Sequence, residues 1–180
     1  MSLRIASETR SKRSNRRGPA EARRFEITPT TEIQTSRFGR INVDTDRIIS
    51  FPRGLLGFPS FHRFALIQTG EESCFFWLQS VEEPALAFVI TDPTPFFNDY
   101  QVPFKEESQV ELELKDVSLG QVFVICNKVN DMLTCNLLGP LVVNVVNRKA
   151  QQIVLTEKRW STRQALMQLN SRPLPLAKSA

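Results

Sequence analysis

Val122-Phe123-Val124-Ile125-Cys126-Asn127-Lys128-Val129 begins with five apolar residues in a row. β-Branched and aromatic side chains fill that run, which favours a strand over a helix. Apolar character on consecutive positions also requires that both faces of the strand be covered. The segment therefore reads as a central strand, and Phe88-Val89-Ile90 reads the same way. Working outward, further short apolar runs are punctuated by Pro, Gly, Asn and Asp, the pattern of an all-β sandwich or barrel. The expected strands are 38–43, 48–51, 64–67, 75–79, 87–91, 122–129, 133–138, 141–146 and 153–155.

Two segments have helical signals. Lys105 to Leu114 starts with Glu106 and Glu107, which suit the positive end of a helix dipole, and Val110 and Leu114 are spaced to share a helical face. The alternation Val110, Leu112, Leu114 would equally suit an edge strand. Ser161-Thr162-Arg163-Gln164 matches a capping box ahead of Ala165, Leu166, Met167 and Leu169, so a short C-terminal helix is expected there. The fold class is thus mainly β, a single compact β-barrel-like domain with one or two short helices.

Charge divides the chain unevenly. Residues 1–24 hold eight Lys/Arg against Glu8 and Glu21, whereas residues 25–180 hold 15 basic and 17 acidic groups. The basicity belongs to the N-terminal segment, not to the apolar body. Residues 1–34 have too few apolar side chains to offset the entropy of ordering them and are expected to be a disordered basic tail. The domain is placed at 35–169, and Pro173 and Pro175 among small residues suggest a frayed tail at 170–180. No run reaches the roughly 18 apolar residues of a membrane span. The N-terminus lacks the apolar core of a signal peptide, so a soluble cytoplasmic protein is expected.

The residues that catalysis requires are scarce. His62 is the sole histidine, and Cys74, Cys126 and Cys135 form no paired metal-binding or redox spacing. Adjacent carboxylates such as Glu82-Glu83 and Glu106-Glu107 diverge on any regular backbone and do not converge on a bond. Gly54-Leu55-Leu56-Gly57 has the glycine spacing of an RNA-clamping KH loop, but Pro52 and Pro59 beside it point to a turn. Neither an enzyme activity nor a cofactor or metal is expected. Aromatic residues are concentrated instead. Phe96-Phe97-Asn98-Asp99-Tyr100 lies between Pro93, Pro95 and Pro103, which prevent regular strand pairing. That loop either folds back as a plug or projects as an anchor for a partner.

Taken together, several blocks resemble those of the flagellar assembly factor (FliW) family. They are Phe51-Pro52-Arg53-Gly54-Leu55-Leu56-Gly57-Phe58, Phe75 to Val81, Leu86 to Pro93 followed by Phe96 to Tyr100, and Asn136 to Asn144 followed by Asn147 to Leu155. The blocks run in family order over about residues 35–163. Cys74 stands where the family has proline, Gly139 where it has alanine, and the usual His-Pro after Arg163 is missing. The resemblance implies a cytoplasmic binding protein that engages flagellin and the translational repressor CsrA, and ties flagellin translation to flagellum assembly. It implies no membrane partner, no small-molecule substrate and no nucleic acid on the core.

Candidate partner-binding residues follow from chemistry. A basic RNA-binding repressor would be complemented by Asp99, Glu106, Glu107, Glu111 and Asp116, with Phe96, Phe97 and Tyr100 as aromatic anchors. Asn144, Asn147 and Arg148 form a polar break after an apolar strand, which turn hydrogen bonding explains as well. The alternative function is direct RNA binding through the arginine-rich tail, which would weaken steeply with salt.

Overall fold

The computed structural model describes residues 29–70 and 73–169. The expected disorder of residues 1–28 and the frayed end at 170–180 lie outside the described residues.

Among the described residues there are eleven strands, one α-helix and two short 3-10 turns, and every pairing between these strands is antiparallel. β1 (Thr30–Thr35) and β2 (Gly39–Asp44) form a hairpin of their own. β3 (Ile48–Ser50), β4 (Arg63–Ile67), β5 (Phe75–Ser80) and β6 (Ala87–Thr91) follow as a meander. After α1 (Glu106–Leu112) come β7 (Gly120–Val129), β8 (Met132–Cys135), β9 (Leu141–Asn144), β10 (Ala150–Gln152) and β11 (Gln164–Gln168).

β7 is the axis of the sheet. Residues 124–126 pair with β6, while on the opposite edge residues 120–123 pair with β9 and residues 126–129 with β8. β8 and β9 therefore follow one another along one edge of β7, separated by the irregular segment 136–140. The remaining order runs β7-β6-β5-β4-β3 on one side and β7-β9-β10 on the other. The sheet curls until its ends meet at one bridge, where Ser50 N–H donates to the Arg148 carbonyl at 2.9 Å. This is barrel-like closure through a single β-bridge among the described residues, with no continuous ladder.

Inward-facing alternate residues fill the interior: Ile49 and Phe51, Phe64, Leu78, Ile90, Phe123, Leu141 and Val143. The other face of β7 is also covered, as its sequence requires. Val124 and Cys126 pack there with Cys135, Leu137, Tyr100 and Leu155. Three consecutive aromatics on β5 are divided between environments: Phe76 meets the interior, Phe75 the outer cluster, and Trp77 the edge of Phe38.

Three expectations are corrected. Residues 30–34, assigned to the tail, belong to β1, where Ile33 and Thr35 are buried in alternation and the Ile33 side packs with Val43 and Ala65. The expected C-terminal helix is β11. Ser161 Oγ accepts from Arg163 N–H and closes a turn, and Gln164 pairs with Cys135 on the otherwise open edge of β8. Pairing of the strand groups on that edge outweighs the high helix propensity of Ala, Leu, Met and Gln. Finally, the strand expected at 153–155 lies at Ala150–Gln152; Ile153 and Leu155 N–H groups bond irregularly to the Pro140 and Leu138 carbonyls.

Residues 51–59 seal the seam between β3 and β10. Leu55 and Phe58 bridge, and Gly54 and Gly57 adopt positive φ. A Cβ on Gly54 would stand 2.6 Å from the Phe58 carbonyl oxygen and 2.7 Å from Pro59 Cα, both backbone atoms. Gly54→Ala should therefore lower stability by roughly 2 kcal/mol or more, from left-handed strain plus backbone displacement. A denaturant midpoint equal to wild type would contradict this packing.

Candidate functional site

α1 is short, and its two ends have different surroundings. Lys105 is the N-cap without a side-chain capping bond, and Glu106 and Glu107 lie exposed in the first turn. Neither glutamate has an ion-pair or hydrogen-bond partner among the described residues. Ser108 and Leu112, four apart, face inward. Leu114 reaches the same buried cluster, with Val142, only because Glu113 turns the chain at φ 54°. Val110, expected to share its face, is instead 72% exposed.

The C-terminal end is held from a distance. Helix ends leave carbonyl groups without intrahelical partners. Asn144 Nδ2 donates to the Leu112 carbonyl at 2.9 Å and to Glu113 O at 3.3 Å. Asn147 Nδ2 donates to Leu112 O at 3.2 Å and to the Glu113 carboxylate at 3.1 Å, and Lys149 pairs with the same carboxylate. The Lys149 and Asn147 hydrogen bonds hold the Glu113 carboxyl below the usual glutamate range. Asn144 and Asn147 also fix their own turn, accepting from Val146 N–H and Lys149 N–H. Arg148, at φ 62°, donates from Nε to the Asp46 carbonyl at 2.7 Å and from Nη1 to Val145 O. From sequence these three residues read as a polar break; that Asn144 and Asn147 end a helix more than thirty positions away, while Arg148 ties the turn to Asp46, needed the tertiary structure.

Beside the helix, Arg53 Nη2 meets Glu111 at 2.9 Å, and Gln151 Nε2 donates to the same carboxylate at 3.2 Å. Arg53, Glu111, Gln151, Gln152 and residues 54–57 line a cleft of about 310 Å³. Leu56, 60% exposed, stands at its rim, its N–H bonded to Gln152 Oε1. Arg53, Leu56, Val110 and Gln152 were not singled out from sequence. An apolar residue between two glycines and a valine between glutamates were the available signals.

The remaining candidates lie around Trp160. Tyr100 is buried, and its hydroxyl donates to the Leu137 carbonyl at 2.8 Å. Phe97 and Tyr100 contact the Trp160 ring edge-on at 6.0 and 5.3 Å, and Phe96 lies against Phe75. The loop thus packs back on the outer cluster through Tyr100 and Phe97, while Phe96 and Phe97 stay partly exposed. Asp99 pairs with Arg159 at 2.8 Å, and Asp116 accepts from Ser118 N–H, which holds its carboxyl below the usual aspartate range. His62 is exposed, with Nδ1 3.2 Å from the Phe51 carbonyl. No three His, Cys, Asp or Glu side chains converge among the described residues.

Residues 31–166 match the family model described as FliW protein. The chain belongs to the FliW family. The flagellar assembly factor FliW of Magnetococcus marinus is 41% identical over 139 residues, spanning 76% of this chain and 85% of that protein. That of Treponema denticola is 35% identical over 138 residues, covering 76% and 93%. A crystal structure of the flagellar assembly factor FliW superposes with a TM-score of 0.69 at 31% identity, covering 76% of this chain and 97% of that one. The FliW match begins in β1 and ends in β11, so it reaches every described strand and leaves the arginine-rich residues 1–24 outside.

Asn144→Ala should lower stability by about 1–3 kcal/mol, because it removes a buried amide bonded to the Leu112 and Glu113 carbonyls and leaves Leu112 only the longer bond from Asn147. Amide exchange should accelerate in α1 more than in β5; uniform change across both would refute the capping role. For Glu113, a lowered folded pKa means a contribution present above the ordinary glutamate pKa and lost as pH falls through the folded value. The stability gap between wild type and Glu113→Gln should therefore shrink on acidification below that range. A gap that grows on acidification would have the wrong sign for a paired carboxylate.

Proposed function

We propose that the chain is a flagellar assembly factor that acts by binding proteins, engaging flagellin and antagonising the translational repressor CsrA, so that flagellin translation follows flagellum assembly. Membership in the FliW family carries the reading. Two ligands whose binding is mutually unfavourable are sufficient for such coupling. The reading involves no catalysis, cofactor or small-molecule substrate, and places the protein in the cytoplasm.

The surface best suited to a basic partner is the outer side of α1. Glu106 and Glu107 have unneutralised charge beside exposed Val110, whereas Glu111 and Glu113 are paired with Arg53 and Lys149. Charge complementarity there would set orientation and encounter rate, and Val110 and Leu56 would supply apolar area to bury. Asp99 and Asp116 make weaker candidates because each already has a partner. Tyr100, Asn144 and Asn147 would act through the surface they hold in place, since Tyr100 and Asn144 are buried.

Calorimetric titration of the full chain against purified CsrA and flagellin, with RNA as a parallel arm, tests the reading. Saturable binding to both proteins is expected. Binding confined to RNA and abolished by moderate salt would replace it with the arginine-tail alternative. Glu106→Lys with Glu107→Lys should weaken CsrA binding about tenfold, or about 1.4 kcal/mol, at an unchanged thermal midpoint. Full affinity in that variant would move the interface away from α1.

A further inference from the structure

Cys126 on β7 and Cys135 on β8 are register partners, and both are free and buried. Asn136 N–H donates to the Ile125 carbonyl at 2.9 Å, which marks 125 and 136 as a hydrogen-bonded pair. In antiparallel alternation the adjoining pair, Cys126 and Cys135, is then non-hydrogen-bonded, with Cα atoms about 4.5 Å apart and side chains on one face. That spacing lies within the roughly 4.4–6.8 Å that disulfides bridge. Both sulfurs belong to the outer cluster with Val124, Leu137 and Tyr100, so they share one face.

We propose that Cys126 and Cys135 form a reversible cross-strand disulfide, a modification site for low-molecular-weight disulfides of the glutathione class, which locks β8 onto β7. The Cys126 thiolate attacks one sulfur of the small disulfide, forming a mixed disulfide and expelling one thiolate. The Cys135 thiolate then attacks the Cys126 sulfur and expels the second. Two electrons pass from the cysteine pair to the oxidant, and the two cysteine protons end on the two released thiols. The pair contributes no charge and is not placed in the partner-binding surface, so the proposal stands independently of the function above.

Access governs the reaction. Burial, with the neighbouring Cys135 adding to it, pushes the Cys126 thiol up to about 12, and burial pushes Cys135 up to about 11. Thiolate is therefore scarce while the cover is closed. Part of that cover is Leu166 on β11, a strand that among the described residues pairs with β8 alone and has a register shift between Ala165 and Met167. Opening of this edge would set the rate of oxidation.

The full chain with Cys74→Ser, incubated with oxidised glutathione in native buffer, tests the site by thiol counting and mass spectrometry of tryptic peptides. The expected result is paired loss of two thiols, a 126–135 crosslink in a monomeric species, reversal by dithiothreitol, and a higher thermal midpoint when oxidised. A second variant moves one thiol to the opposite face, Thr134→Cys with Cys135→Ser in the same background, and should not link. Linkage in both variants would show that unfolded chain is reacting and overturn the proposal. So would stable single glutathione adducts, intermolecular dimers alone, or no thiol loss in the in-register protein.

Discussion

The two-sided burial of β7 is the constraint on which the remaining structure depends. Three of the four buried clusters draw on it: Phe123 and Ile125 face the interior, Val124 and Cys126 the outer cluster, and Val122 the cluster beneath α1. A strand ten residues long beside a β6 of five leaves its two ends unmatched on that side. On the other edge the chain satisfies it in two instalments, β8 and β9, with 136–140 looping out between them. Those extra residues place Leu137 under Tyr100 and bring the Gly139 carbonyl to Gln152 Nε2 at 3.1 Å. The break in the strand is thus where the outer layer attaches.

Closure of the barrel and position of the helix are two results of one turn. Residues 144–149 give the Arg148 carbonyl to Ser50 and the Arg148 guanidinium to the Asp46 carbonyl, which fastens β3 to the far end of the sheet. From the same turn the amides of Asn144 and Asn147 reach the end of α1. Arg148 takes a left-handed φ that an L-residue adopts at some energetic cost. Bonds from its own side chain to two carbonyls offset that strain.

How far the sequence was legible follows from where local and non-local forces agree. β5, β6 and β7 were readable because their apolar pattern and β propensity both report the final burial. β1 was not: Thr-Thr-Glu-Ile-Gln-Thr is polar, and only its pairing to β2 over Ala65 makes Ile33 a core residue. β11 was misread because Ser161 to Leu169 contains good helix formers, and the deciding partner, the edge of β8, lies some thirty positions away. At the candidate site the acidic character of α1 was visible. Which glutamates remain unpaired was not, since that depends on Arg53 and Lys149 arriving from elsewhere in the chain.

A helix of seven residues has no stability of its own in water, so α1 exists because it is docked. Its inward face is restricted to Ser108 and Leu112, and Leu114 beyond the end adds a second apolar contact. Positions 106, 107 and 110 are outward by the same geometry, which makes their exposure a consequence of the docking and not a failure to bury them. Pairing of Glu111 and Glu113 confines the free negative charge to the first turn. Screening at physiological salt limits its reach to about 8 Å, so it acts on a partner only near contact. A surface ordered in this way loses little further conformational freedom on binding, and rigidity supplied by Asn144 and Asn147 from inside the fold becomes a property of the outer face.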